Sequence, residues 1–307
     1  MAVSLLHLLS QKSAFSALGR VAVRSLVGAA TSESSEPGAS SEAAGPWFEE
    51  RAAAPGEGLV REFIKTSGGD AGWYRGVVPV GMFAQWTFGA VSRALSTLPW
   101  PMTRVLNAGV TIVSAGRIPL GESLLVRARI AKVDVGERRA KISTEVETGT
   151  SSDPTALRAV LHTYLPFGKP ASGSKPRSES AATPERASDS ARELAFWSLA
   201  RTAGRDFALL TGDLNPIHWV GPIAKIAGFR SVILHGFASM ARSIEGLNRA
   251  VFVGDPSKLA SLDVRFLRPL VLPARVGLYL DRATQRFWIA DGPTGPAYLS
   301  GSFGVTR

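Results

Sequence analysis

One pattern occurs twice in this chain and restricts its fold more than any other feature: a long apolar helix followed by several alternating strands. In the second half, apolar side chains recur at steps of three and four, which is one face of a helix, at Phe237, Met240, Ile244, Leu247 and Val251. Alternating segments follow over 261–266, 276–280, 287–289 and 298–305. Alternation with one apolar face favours antiparallel strands.

The first half repeats this order. A helix is predicted over 81–98, with Phe83, Trp86 and Phe88 on it, and strands are predicted over 104–114, 122–134, 139–148 and 157–166. The pattern therefore predicts an α+β protein made of two similar halves. In each half, an antiparallel sheet wraps around a central helix.

Two stretches of low complexity set the predicted boundaries. Residues 31–46 and 168–190 are rich in Ser, Pro, Gly, Ala and Glu and have no apolar period, which is typical of connectors. The expected organisation is an extension over 1–46 that is disordered or serves targeting, an N-terminal half over 47–167, a linker over 168–190 and a C-terminal half over 191–307.

The N-terminus supports more than one interpretation. Residues 1–32 contain no acid and carry Lys12, Arg20 and Arg24 among Ser and apolar groups. This composition is typical of an organellar transit peptide and also of a basic amphipathic helix. We expect a poorly ordered extension on a cytoplasmic protein, with the mitochondrial matrix as the alternative. No apolar run approaches the roughly 18 residues of a membrane span, so no integral membrane segment is predicted.

Composition excludes several classes of function. Cysteine is absent from all 307 residues, which excludes disulfides, cysteine-ligated zinc and a cysteine nucleophile. The net charge of +10 is spread over both halves and is accompanied by no nucleic-acid-binding motif, so no nucleic acid partner is predicted. Histidine chemistry is limited to four residues, His7, His162, His218 and His235.

The segment 211–236 carries the chemistry. Asp213 and His218 are five residues apart, and the Asn215-Pro216 pair between them disfavours a regular helix. A turn of this kind can direct a carboxylate and an imidazole at one water, which then exchanges protons with them. The simpler alternative is an Asp that forms a turn and a structural His.

His235-Gly236 precedes the predicted central helix of the second half. A backbone N–H at a helix N-terminus can stabilise a carbonyl oxygen that gains negative charge. The two histidines at 218 and 235 lack the ligand set of a typical zinc site, so we predict no metal.

The residues just described resemble a known signature. Gly212-Asp213-x-Asn215-Pro216-Ile217-His218, followed by Ala224, Gly228-Phe229, Ile233 and His235-Gly236, is closely similar to the motif of the MaoC-like dehydratase family. The layout in two halves looks like the double hotdog members of that family. The resemblance implies a tandem hotdog fold, and residues 1–46 lie outside it.

The resemblance also implies an activity. It is the reversible hydration and dehydration of (R)-3-hydroxyacyl and trans-2-enoyl thioesters in fatty acid metabolism, catalysed by a hydro-lyase without a cofactor. Asp213 and His218 would form the catalytic dyad, Asn215 would brace the turn, and the N–H of Gly236 would hold the thioester oxygen. Residues 70–83 of the first half lack the Asp-x-x-x-x-His pattern, so we expect that half to be degenerate and one active site per chain.

Other assignments remain open. Phe83 and Trp86 are candidates to orient the acyl chain, with ordinary core packing as the alternative. Lys225 and Arg230 are candidates to bind the carrier, which is CoA or acyl carrier protein, with solvated surface as the alternative. An acyl-thioesterase and a non-catalytic acyl-thioester binding protein are the competing functions, and a homodimer is one of the oligomeric states left open.

Overall fold

The computed structural model describes residue 3 and residues 40–100, 105–167 and 184–306. In the first half, strand β1 (Phe48–Ala52) and helix α1 (Glu57–Thr66) precede α2 (Ala84–Leu95). Four long strands then follow, β2 (Leu106–Ser114), β3 (Leu124–Val135), β4 (Arg139–Gly149) and β5 (Leu157–Pro166). The predicted helix and the four predicted strands of this half are confirmed; β1 and α1 were not predicted.

The second half starts with β6 (Arg192–Leu199) and α3 (Ala203–Thr211), neither of which the sequence pattern indicated. Next come a short 3₁₀ turn (Pro216–His218), α4 (Gly221–Ile226), β7 (Ile233–Leu234) and the long helix α5 (Gly236–Ala250). The half ends with β8 (Leu259–Phe266), β9 (Leu270–Val271), β10 (Ala274–Asp281), β11 (Arg286–Ala290) and β12 (Ala297–Val305).

The strands of both halves form one continuous sheet. Its order is β1-β3-β4-β5-β2-β8-β12-β11-β10-β6, and every neighbouring pair is antiparallel. The halves join where β2 pairs with β8, with Gly109 opposite Arg265 and Val113 opposite Ser261. Strands β7 and β9 make a separate short pair beside the site described below.

Each half covers its own helix. Helix α2 packs on β1, β3 and β4, and α5 packs on β6 and β12. The two helices also meet, because the ring of Phe83 at the start of α2 lies edge-on to Phe237 of α5, with centroids 5.3 Å apart. This arrangement confirms the predicted double hotdog: the antiparallel strands of each half wrap around that half's own helix, and the two halves lie side by side in one continuous sheet.

Two segments that we expected to be connectors are partly packed. Ser41 pairs with Val133, and Gly45 N–H donates to the carbonyl oxygen of Ile130 at 2.8 Å, so residues 40–46 extend the sheet beyond β1. At the other boundary, Arg186 pairs with Pro296, and Ala187 is buried. Residues 31–39 and 168–183 of the two predicted connectors, and residues 1–32 apart from Val3, lie outside the described residues.

No helix in the described ranges is long and apolar enough to cross a membrane.

Candidate active site

The turn between α3 and α4 carries Asp213 and His218. Gly212 ends α3 in a left-handed conformation, with a φ of 78°, and turns the chain into Asp213. Asn215 then caps the 3₁₀ turn, because its side-chain oxygen accepts the N–H of Ile217 at 3.3 Å. Asn215 therefore holds the turn by a local contact, and its role at an active site remains a prediction. A second brace comes from Trp219, whose indole N–H donates to the carbonyl oxygen of Leu214 at 3.1 Å.

His218 is almost fully buried at 9% exposure. Its Nδ1 lies 2.9 Å from the backbone oxygen of Ile233 in β7. A carbonyl oxygen only accepts, so Nδ1 carries the hydrogen and Nε2 keeps its lone pair for a substrate or water. Burial lowers the pKa of His218 below its usual value, although the Asp213 charge and the Ile233 hydrogen bond act in the opposite direction. The neutral ring is therefore the dominant form at neutral pH.

The carboxylate of Asp213 lies beside this ring. One ligand-type atom each from Asp213, His218 and His235 lies within 4.8 Å of the other two. The Asp213 side chain is 39% exposed, and its Oδ1 accepts the N–H of Asn215 at 3.3 Å. The turn thus brings the two predicted catalytic side chains together, one buried and neutral and the other open to solvent.

His235 joins this group, although the sequence analysis did not count it among the site residues. Its ring stacks on His218 with centroids 3.5 Å apart and planes inclined by 24°. The sequence carried one relevant signal, a histidine immediately before the glycine that starts α5. Nothing in the chain pattern indicated that the two imidazoles would stack, because 17 positions separate them along the chain.

Gly236 is the first residue of α5, so its N–H has no acceptor one turn earlier in the helix. A β-carbon at this position would lie 2.9 Å from ring atoms of Phe266, which shows how closely that ring approaches the backbone. Phe266 in turn lies edge-on to Phe237, with centroids 5.6 Å apart. The predicted oxyanion donor therefore sits at the start of a helix, against an apolar wall.

Phe83 continues the row of aromatic rings formed by Phe266 and Phe237. It is fully buried against Phe237, two rings away from Gly236. Trp86 is also buried, and its indole N–H donates to Thr148 Oγ1 on β4 at 3.2 Å. Both residues are packed as core in this structure. Their predicted contact with an acyl chain remains a prediction, and Phe83 is the better placed of the two.

Lys225 and Arg230, the two cations predicted to bind the substrate carrier, lie on the surface after the turn that carries Asp213 and His218. Lys225 is on α4 and Arg230 is four residues past its end, and both side chains are exposed. The structure brings neither of them into the cluster around His218, so their role remains a prediction.

The cluster of three ligand-type side chains could in principle hold a metal ion. However, His218 Nδ1 and His235 Nε2 each contact a backbone carbonyl oxygen, at 2.9 and 3.1 Å. A neutral imidazole that donates one nitrogen to a carbonyl keeps only the other as a ligand. The expectation that the site works without a metal remains a prediction, and it is tested below.

Comparison with known proteins defines the class. Residues 180–288 match the sequence model of the MaoC like domain, a range that includes both dyad residues and Gly236. The crystal structure of HtdX from Mycobacterium tuberculosis superposes with a TM-score of 0.65 at 20% identity, over 85% of this chain and 100% of that one. The chain therefore has the double hotdog fold, and residues 180–288 of it are similar to the MaoC like domain.

Two curated relatives share short stretches of sequence. The peroxisomal enoyl-CoA hydratase 2 of Arabidopsis thaliana is 40% identical over 58 residues, 19% of this chain and 19% of that enzyme. The 3-hydroxyacyl-thioester dehydratase X of Mycobacterium tuberculosis is 36% identical over 76 residues, 25% of each chain. The similar stretch thus spans a quarter or less of the length of these relatives.

Proposed function

We propose that this protein is a hydro-lyase that interconverts trans-2-enoyl and (R)-3-hydroxyacyl thioesters in fatty acid metabolism. The observation that carries the proposal is the meeting of the Asp213 carboxylate with a neutral, tautomerically defined His218 on one turn, close to the N-terminus of α5. The names of the two curated relatives, a hydratase and a dehydratase of thioesters, support the same chemistry.

The chemistry uses three groups of this chain. In the hydration direction, the oxygen of a water held by Asp213 and His218 adds to the β-carbon, and the dyad takes one proton from that water. The thioester oxygen gains negative charge as an enolate forms, and the Gly236 N–H stabilises it. A proton from the dyad then reaches the α-carbon, which balances the reaction. Dehydration is the same path in reverse.

The substrate carrier and the cellular setting belong to the proposal. CoA and acyl carrier protein present the same phosphopantetheine arm, and either suits a site of this kind. Lys225 and Arg230 are the surface cations we assign to the carrier. A cytoplasmic location, with the mitochondrial matrix as the alternative, and a homodimer remain expectations.

An acyl-thioesterase is the competing function. It shares the substrate class but cleaves the thioester, so it releases a free thiol. The deciding assay incubates the protein with crotonyl-CoA, octenoyl-CoA and longer enoyl-CoA, and with the same acyl groups on acyl carrier protein. Loss of the enoyl absorbance without reaction of a thiol reagent supports the hydro-lyase. Release of CoA, or no turnover with any thioester, contradicts it.

A further inference from the structure

His235 contacts both members of the dyad. Its ring stacks on His218 at 3.5 Å between centroids. Its Nε2 lies 3.1 Å from the backbone oxygen of Asp213 and 3.8 Å from the carboxylate oxygen Oδ2 of the same residue. A single side chain therefore spans the two groups that the proposed reaction requires to act together.

The protonation of His235 follows from these contacts. The Asp213 carbonyl oxygen can only accept, so Nε2 of His235 carries the hydrogen and donates it. Burial, assisted by the adjacent His218 ring, lowers the pKa of His235 to about 4. The ring is therefore neutral in the working range of most enzymes, and its only N–H is used on Asp213.

Packing holds this ring where it is. His235 is 2% exposed and lies against Phe207 of α3, with centroids 5.1 Å apart. Its backbone precedes α5 as the N-cap, so the start of that helix fixes the position of its α-carbon.

The remaining nitrogen argues against a purely packing role. Nδ1 of His235 is buried and has no hydrogen-bond partner among the described residues. A buried polar atom without a partner costs free energy, which a phenyl ring in the same place would avoid. The Nε2–H of His235, which donates to the Asp213 oxygen, is what distinguishes this side chain from a phenyl ring of similar shape.

We propose that His235 is a positioning residue for the reaction: its N–H holds the backbone of Asp213, and its face fixes the ring plane of His218. Carboxylate and imidazole are then directed at one water. This inference rests on the proposed hydro-lyase function, and its test includes a measurement that needs no substrate.

Two variants of the full chain test separately the hydrogen bond to Asp213 and the stacking on His218. His235→Gln keeps an N–H donor but loses the flat ring, and His235→Phe keeps the ring but loses the donor. Ser243→Ala is the matched control, because Ser243 is a fully buried polar residue of α5 whose hydroxyl donates to the Ser239 oxygen one turn earlier in the helix. Thermal melts establish that each variant is folded.

We expect both His235 variants to lower kcat on the best enoyl thioester by on the order of 10- to 100-fold, with KM changed little, because a misdirected dyad impairs the chemical step. Ser243→Ala should retain the wild-type kcat. Wild-type kcat in both folded His235 variants, or an equal loss in Ser243→Ala, overturns the proposal.

Nitrogen-15 NMR of the imidazoles supplies the second readout. The bond from His218 to the Ile233 oxygen should keep His218 a single Nδ1–H tautomer in the wild type and in His235→Phe. In His235→Gln no stacked ring holds His218 in the plane that this bond requires, so we expect a mixture of tautomers. An unchanged tautomer in His235→Gln overturns the stacking role. This readout stands even if the wild type turns over no thioester, so failure of the proposed function and failure of this inference are distinguishable.

Discussion

The backbone oxygen of His218 lies directly against the α-carbon of Gly204. A β-carbon at residue 204 would approach that oxygen to 2.1 Å and the Ile233 oxygen, which His218 Nδ1 contacts, to 3.3 Å. Helix α3 therefore supports the turn that carries Asp213 and His218 through a position where no side chain fits.

Gly204→Ala should displace this turn. We expect the free energy of unfolding to fall by about 1–3 kcal/mol, as for other overpacked sites, and kcat to fall with it.

The control is Gly58→Ala, since Gly58 lies in α1 with nothing within 4 Å of an added β-carbon. That change should stabilise by about 0.5–1 kcal/mol because alanine suits a helix better. Denaturant melts that show equal effects at both sites would contradict the close packing described.

Asp213→Asn and His218→Gln should each lower turnover at least about a hundredfold, the lower range for a lost acid or base. Both replacements are nearly isosteric, so the melting temperature should change little. His162→Gln serves as the control, because that histidine bonds Thr111 on the sheet, away from this site. Near wild-type turnover by either dyad variant would refute the assignment of the dyad.

Phe83→Ala should shift the preference toward longer acyl chains. The removed ring lies behind Phe237 and Phe266, so its loss opens apolar space near Gly236. Each methylene newly accommodated contributes about 0.8 kcal/mol, which is about fourfold in kcat/KM.

The measurement is the ratio of kcat/KM for long over short enoyl thioesters, with Trp86→Ala examined in the same way. Leu95→Ala is the control, because it opens a cavity at the far end of α2. If the ratio stays constant in folded Phe83 and Trp86 variants, both residues are core only.

Glu245 makes stability depend on pH. It is buried on α5, accepts the Tyr74 hydroxyl at 2.5 Å and the Asn248 amide at 3.2 Å, and burial raises its pKa to about 7. Between its usual pKa of 4.5 and about 7, the folded protein holds a proton that the unfolded chain releases. This contribution to the free energy of unfolding is therefore present below pH 4.5 and is lost as the pH rises to about 7.

Glu245→Gln removes the titration and leaves every other group in place. The free energy of unfolding of the variant, minus that of the wild type, should rise between pH 4.5 and 7. Denaturant melts across this window measure it, and the opposite contributions of the buried histidines cancel in the difference. A difference that does not vary with pH would show that Glu245 titrates normally.

Chelation should leave turnover unchanged, since a carboxylate, an imidazole and a backbone N–H suffice for the proposed chemistry. The measurement compares kcat before and after dialysis against EDTA, with metal content determined by mass spectrometry. Loss of activity that Zn²⁺ restores would show that the reaction requires a metal ion, for which Asp213, His218 and His235 are the candidate ligands.

Much of the fold was predictable from local pattern. In α5, apolar side chains recur at steps of three and four, and in β2–β5 apolar and polar side chains alternate. These patterns indicate directly which face of each element is buried. The elements that were not predicted, such as β6 and α3, have short or weak hydrophobic patterns. Their structure depends on packing against neighbouring elements. The order of the strands in the sheet, with β2 beside β8, could not be predicted in this way, because hydrophobic periodicity within one strand does not indicate which strand lies next to it.

The chain by itself indicated Asp213 and His218 as the predicted dyad, through the signature to which they belong, and it indicated an irregular turn between them, because Asn215-Pro216 disfavours a regular helix. Only the tertiary structure decided the protonation and surroundings of these groups. The tautomer of His218 depends on a carbonyl 15 residues away, and the neutral state of His235 depends on burial beneath α3. Such properties arise from the electrostatic environment of the folded chain, which no single stretch of sequence contains.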